Sequence, residues 1–454
     1  MKNGAREQYR RMTEKPVRRL ILTLSIPTVI SMMVTSVYNV ADTYFVSKLG
    51  TSASGAVGVV FSLMAIIQAV GFTVGMGSGS IISRMLGEKR DDEANKIASS
   101  GLFLGLFLGV LITVFCMLKI TDLMLLFGAT KTILPFAKSY AAYIIFGAPV
   151  MIGSFILNNI LRSQGHAKYA MWGIASGGIL NVVLDPVLIF GFDMGMTGAA
   201  VATLVSQCVG FIILLYSFLA GKSQTKLGFR KISPNIMDYL RILKAGLPSF
   251  SRQGLASIST MFLNRSARIY GDAAVAAMGI VGKIFMIIFS VLIGIGQGAQ
   301  PVIGYNYGAK KYKRVKKAIT FTWQVGTVLL TVLGAGAFFC AELLVTQFIK
   351  GDYKVLEIGR TALMAYSLVL PIMPINMVCN ITYQIIGRSW RATLLSCARQ
   401  GFFFLPLIWI LPKHFGLLGV QVSQPIADVL TALFSLPFGI AFLRELDENI
   451  KREQ

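Results

Sequence analysis

Apolar residues in this chain come in long blocks, not in the short periodic stripes of a soluble helix or strand. Twelve blocks stand out, at residues 17–45, 53–86, 94–119, 134–160, 169–190, 196–220, 237–269, 273–303, 315–339, 355–386, 392–411 and 418–442. Each reaches the ~20 residues that a helix needs to cross roughly 30 Å of hydrocarbon. The pattern predicts an all-α polytopic membrane protein with twelve transmembrane helices, six on either side of the polar stretch 221–235.

The blocks repeat in order. Shifted by 221 residues, the chain matches its own second half without a gap over about seventy positions. Pro27 meets Pro248, Gly50 meets Gly271, Ala53 meets Ala274, Gly58 meets Gly279, Gly75 and Gly77 meet Gly296 and Gly298, and Gly87 meets Gly308. The register slips by one residue to pair Pro149 with Pro371, Asn158 with Asn380 and Gly165 with Gly387, then returns at Gly195/Gly416 and Gly198/Gly419. A duplicated membrane unit is the sign of a transporter whose halves rock about a shared cavity. Residues 1–225 and 226–454 are therefore expected to form two pseudo-symmetric six-helix bundles, related by an axis near the membrane normal because six spans return each copy to the same orientation.

Composition agrees, with 55% hydrophobic and only 14% charged residues against roughly 25% charged in a soluble protein. The net charge of +23 raises nucleic acid as a partner, but its location argues otherwise. Lys and Arg gather in residues 2–19, 84–96, 162–168, 222–244, 310–317 and 388–399, and with the carboxyl terminus these segments hold about 31 of the 43 basic residues. They are the even-numbered connections and the termini, a bias that places both termini in the cytoplasm. A topology signal beside anionic lipid accounts for the run from Lys310 to Lys317 without nucleic acid.

Other residues exclude more than they propose. Cys116, Cys208, Cys340, Cys379 and Cys397 show no paired spacing and read as packing residues. His166 and His414 sit in separate connections with no second ligand at metal spacing, so neither a metal site nor imidazole catalysis is expected. Gly71, Gly75, Gly77, Gly79, Gly294, Gly296 and Gly298 follow no strand and read as close helix packing, not phosphate-cradling loops. Pro27, Pro149, Pro248 and Pro371 each soften a helix at matching places in the two halves and are candidate hinges, as is Pro186.

Charge within the spans is more telling, because a lone carboxylate at the bilayer centre costs at least ~2.5 kcal/mol. The acidic cases are Asp42, Asp185 and Asp428. Asp185 follows Asn181 by four residues, so the two share one helix face. By rise per residue Asp185 lies about 24 Å from the start of its span and Thr203 about 10 Å from the opposite start of the next, which brings them to nearly one depth. Two carboxylates sharing a poorly solvated site hold a proton between them or recruit a cation such as Na⁺, with the oxygens of Asn181 and Thr203 assisting. Alternatively, they only hydrogen-bond to neighbouring helices. Asp428 lies roughly 15 Å into the last span and Lys283 a similar distance into the eighth, so an ion pair in the carboxyl half is expected.

Asp42 with Asn181, Asp185 and Thr203 resembles the amino-lobe cation site of the multidrug and toxic compound extrusion (MATE) family, in particular its bacterial DinF/MepA-like branch. The run from Gly296 through Gln297, Gly298, Ala299, Gln300 and Pro301 to Gly304, Tyr305, Asn306, Tyr307, Gly308 and Ala309 is similar to that family's helix 8 signature, and Gln424 to Asp428 to its helix 12 segment. The likeness spans the whole chain. It implies a bacterial cell-membrane protein, acting as a monomer without a cofactor, that exports organic, often cationic, drugs in exchange for Na⁺ or H⁺. It also adds Asn158 to the cation site.

Met33, Tyr38, Phe61, Met64, Met286, Phe289 and Tyr383 are the candidate wall of a cavity for flat lipophilic cations, each with plain packing as the alternative. A lipid-linked precursor flippase is the competing function, but it needs several basic residues in the cavity, and only Arg252 and Lys283 lie deep within spans. A membrane-embedded transferase or protease needs a cluster of His, Cys or metal ligands at one depth. A channel needs a repeated filter. Neither pattern is present, so an enzyme is not expected.

Overall fold

The computed structural model describes residues 3–349 and 352–452. Met1, Lys2, Lys350, Gly351, Glu453 and Gln454, which include the outer ends of the two predicted halves, lie outside the described residues. A short helix α1 (Asn3–Glu14) precedes the spans. The first half then runs through α2 (Val17–Ser47), α3 (Thr51–Gly87), α4 (Asp91–Leu118), the short α5 (Ile120–Leu126), α6 (Leu134–Phe146), α7 (Ala148–Ser163), α8 (Ala167–Pro186) with a π-helical turn at Val187–Gly191, and α9 (Gly195–Leu219). The second half repeats this order. It comprises α10 (Ile236–Arg268), α11 (Asp272–Gly308), α12 (Tyr312–Phe339), the short α13 (Ala341–Thr346), α14 (Tyr353–Val369), α15 (Met373–Ile385), and α16 (Ser389–Cys397), which passes through a π-helical segment (Ala398–Phe404) into α17 (Leu405–Arg452). The described residues hold no strand.

Twelve spans follow from these helices once three local effects are recognised. Helices α6 and α7 meet at a bend of 50°, next to Gly147 and Pro149, and make one span. Helix α17 is two spans, because the backbone turns at Gly416 with φ 58° and ψ −136°. Helix α10 crosses in spite of Arg241, Lys244, Arg252, Arg265 and Arg268, which make it the least apolar of the set.

The duplication is written into the backbone. Left-handed residues recur at matching positions: Gly50 and Gly271, Lys89 and Lys310, Gly165 and Gly387, Gly195 and Gly416. At Gly50 (φ 111°) and Gly271 (φ 96°), which open α3 and α11, a β-carbon is strained, so glycine holds the tight entry in both halves. Side chains repeat too. Asn158 donates to the Ala170 carbonyl at 2.8 Å and its mate Asn380 to the Ala392 carbonyl at 2.7 Å.

Helices α2 and α3 of the first half pack against α11 and α10 of the second, and glycines sort this interface into two zones. Toward the end carrying the termini, a β-carbon on Gly77 would strike the Ile242 carbonyl, one on Gly246 the Thr73 carbonyl, one on Gly298 Ser25, and those on Gly87 and Gly308 the backbones of Tyr305 and Arg84. Toward the other end, Gly58 and Gly279 meet nothing within 4 Å. Gly58 lies 29 positions before Gly87, about eight whole turns, and so shares its helix face. One face of α3 is thus sealed at one end and open at the other, and the two lobes form a V closed at the terminus end.

That closed end is braced by polar contacts. Gln8 of α1 donates to the Gln164 carbonyl at 2.7 Å, Asn306 of α11 donates to the Met12 carbonyl at 3.0 Å, and Arg314 donates to the Lys15 carbonyl at 2.6 Å. The linker between the halves binds the first lobe through Gln164, Asn95 and Ser100. It reaches the second where the Tyr305 hydroxyl donates to Gln224 at 2.6 Å. Buried Arg162 of α7 bonds Asn159 at 2.6 Å and also Gln297 of α11, crossing from lobe to lobe.

Candidate functional site

Within the first lobe, the carboxylates predicted from sequence do converge. Helix α2 presents Asp42, the last turn of α8 presents Asp185 above Asn181, and α9 presents Thr203. Asn181 Nδ2 faces Asp185 Oδ1 at 3.3 Å and Thr203 Oγ1 at 3.4 Å. Tyr140 of α6 donates to Asp42 Oδ2 at 3.4 Å, and its hydroxyl also faces Thr203. These contacts are long, and each carboxylate keeps a second oxygen, Asp42 Oδ1 and Asp185 Oδ2, buried without a hydrogen-bond partner. Asp185 is fully buried. Among the described residues no ion pair includes either acid. One fully buried and one partly buried acid, each with a spare buried oxygen and no basic partner, form a site that a cation or a proton would complete, since burying an unpaired charge is otherwise expensive.

Directly beside Asn181 and Thr203 lies a cavity of about 30 Å³, also lined by Thr35, Ser154, Ser206 and Gln207. Ser154 Oγ and Ser206 Oγ are buried and unpartnered, so a largely apolar space of a size for water carries polar groups that a water could bridge. Tyr38 also lines it. Proline 186 ends α8 one residue after Asp185, where the helix passes into its π-helical turn. Helix α2 runs unbroken through Pro27, whose carbonyl accepts from Ser31 at 3.0 Å.

Sequence reasoning missed Tyr140. A tyrosine in an apolar block carries no visible signal until the fold aims its hydroxyl at an acid on another helix.

Asn158 stands apart from the site. Its bond goes to Ala170, 11 residues before Asn181 on α8, or about 16 Å away by helical rise. It pins α7 to α8, as Asn380 pins α15 to α16.

The ion pair of the second lobe also differs from expectation. Asp428 is bound by Arg399, whose Nε donates at 2.6 Å and Nη2 at 3.3 Å, with Gln424 donating at 3.0 Å. Lys283 is not its partner. Arg399 reads in sequence as the end of a basic connection, but the π-helical segment carries it into the lobe, where it also lies over the Phe289 ring at 4.9 Å.

Of the candidate wall residues, Met33, Phe61 and Met286 are exposed, and Phe289 lines a second-lobe cavity. Met64 is buried in the first-lobe core. Tyr383 does not join Met286 and Phe289: it is buried, its hydroxyl donates to the Phe438 carbonyl at 2.9 Å, and it borders an apolar crevice with Trp323 and Leu443.

The MatE family model matches this chain twice, over residues 27–187 and 248–410, once in each lobe. The chain belongs to the MATE family. This MATE chain is similar to the multidrug export protein MepA of Staphylococcus aureus (strain NCTC 8325 / PS 47), with 27% identity over 433 residues and 95% of each chain covered. MepA of Staphylococcus saprophyticus is 27% identical over 431 residues, again with 95% of each covered. Among solved structures, the outward-facing conformation of a multidrug resistance MATE family transporter of the MOP superfamily superposes with a TM-score of 0.92 at 28% identity, covering 96% of this chain and 98% of that one. A MATE in the straight conformation gives 0.91 at 28% identity, with 97% and 99% covered.

Proposed function

We propose that this chain is a cation-coupled antiporter of the cell membrane that exports organic, mostly cationic or amphipathic compounds by alternating access of its two lobes. The observation that carries the coupling is the pair Asp42 and Asp185, each with an unpartnered buried oxygen and neither with a basic partner. Na⁺ would draw on both carboxylates with Asn181 and Thr203, whereas a proton would be held between the acids. Support for multidrug export comes from the names of the relatives over 95% of this chain. The positive-inside bias puts the termini in the cytoplasm, so the V opens outward.

The cation does work only through different affinities for the two lobe arrangements. Taking an equilibrium from 1:99 to 99:1 needs about 5.5 kcal/mol of difference, within reach of a buried dicarboxylate that loses its neutralising ion. The test is efflux of a cationic dye from proteoliposomes under imposed Na⁺ or H⁺ gradients. Asp42→Asn or Asp185→Asn is expected to abolish gradient-driven efflux while leaving dye binding detectable, and loss of Asn181 or Thr203 to weaken coupling less. Full gradient-driven export by the Asp42→Asn, Asp185→Asn double variant at normal expression would refute the coupling and make Asp428 the next candidate.

A further inference from the structure

The second lobe contains a cavity of about 100 Å³ whose polar wall includes Arg252, Asn380, Arg399, Gln400 and Asp428, with Phe289 on its apolar side. Its charges do not cancel. Arg399 is committed to Asp428 by two hydrogen bonds, and that pair is neutral. Arg252 has no carboxylate within ion-pair distance among the described residues. Its single hydrogen bond, Nη1 to Asn380 Oδ1, is 3.5 Å long, at the outer limit for such a bond. Asn380 cannot turn further toward it, because its amide nitrogen is held by the Ala392 carbonyl and Ser396 Oγ, both at 2.7 Å. Gln400 adds an amide oxygen that is buried and unpartnered.

Arg252 sits 16 residues into α10, about 24 Å along its axis and so near mid-span. A guanidinium at that depth is expensive unless something pairs with it, and an intramembrane ionisable group marks a ligand site by default. Its planar fork of donors fits a carboxylate or sulfonate, which accepts two parallel bonds. The neighbouring Phe289 ring, already under Arg399, supplies an apolar face for an aromatic body.

We propose that this cavity binds the oxyanion end of an amphipathic aromatic solute, with Arg252 as the pairing cation, so that the second lobe selects for negative charge while the first holds the coupling cation. Its role as a substrate site rests on the export reading; binding itself does not.

The test is equilibrium binding, by fluorescence, of 9-anthracenecarboxylate and its methyl ester to purified protein in phosphatidylcholine nanodiscs. The wild type is expected to bind the acid tighter than the ester by about tenfold or more, the yield of one charge-assisted bidentate pair. Arg252→Gln should erase that preference, and Arg252→Lys should restore part of it. Equal affinity for acid and ester in the wild type, or a preference that survives Arg252→Gln, overturns the proposal. Where Arg252→Gln does not fold, Gln400→Glu, nearly isosteric and placing a carboxylate in the cavity, should lower acid affinity to a similar degree; unchanged affinity overturns it equally. In phosphatidylglycerol nanodiscs the acid should still bind. Its loss there would make the cavity a lipid headgroup site and overturn the solute reading. No ion gradient enters, so failure of cation coupling would leave the result standing.

Discussion

Replacing Gly246 with valine should tip the balance between the two lobe arrangements. A β-carbon at Gly246 runs into the carbonyl of Thr73, and one at Gly77, on the facing helix, into that of Ile242. These obstacles are backbone, held by helical hydrogen bonds, so no rotamer change relieves them and α3 and α10 must separate. Forcing added methyl groups into a close-packed contact costs about 1–3 kcal/mol, and 1.4 kcal/mol is a factor of ten. Taking about 2 kcal/mol, a population that is nine parts sealed to one part open at the terminus end becomes roughly one part sealed to three open. Spin-label distances report this directly in a cysteine-free background, with labels at Lys89 and Lys310 on the sealed end and at Lys48 and Ile269 on the open end. The first distance should lengthen and the second shorten. Gly58→Val, which meets open space here, should leave this arrangement populated and hinder closure of the other end. Unchanged distances in Gly246→Val, at wild-type melting temperature, would refute the idea that this glycine seam sets the balance.

Four further outcomes follow from the geometry. Tyr140→Phe removes the single donor to Asp42 among the described residues, and since that bond is 3.4 Å long it should weaken coupling by less than about tenfold, read in the dye-efflux assay. Arg399→Met leaves Asp428 buried without its counter-charge and should cost about 3–5 kcal/mol in thermal unfolding, whereas the double change Arg399→Met, Asp428→Leu should be milder; equal losses would show that the stranded Asp428 charge is not the source of the cost. Asn158→Ala and Asn380→Ala should each cost about 0.5–1.5 kcal/mol, because each removes a buried hydrogen bond between two helices, and neither should abolish coupling. Burial, and next the positive charge of Arg11, lower His166 from 6.5 to about 4, so the unfolded chain takes up its proton first. The histidine's contribution to stability is present above pH 6.5 and is lost as pH falls toward 4. His166→Gln should flatten this part of the melting-temperature profile.

Much of this protein was already determined by the order of its residues. Twelve spans, their division at the polar linker and the duplication are legible because lipid imposes a one-dimensional rule: about twenty apolar residues per crossing, with matched glycines and prolines wherever the backbone departs from a regular helix. Asp42, Asn181, Asp185 and Thr203 could be singled out for the same reason, since polar groups in hydrocarbon need partners. Which partners they have is a matter of three-dimensional aim. Tyr140 became part of the site, and Asn158 left it, only when helix rotation was known. Arg399 replaced Lys283 because a π-helical segment shifts where the basic residues at the start of the eleventh span point. Charge counting could find Arg252, but only packing showed that Asp428 was already taken and that this guanidinium lines a cavity with no carboxylate partner among the described residues. The state of the lobes was beyond sequence altogether. Gly58 and Gly87 lie on one face of one helix, and nothing in their local order says that one is open and the other pressed against Tyr305; that is set by the angle between two rigid bundles, a property of the assembled packing.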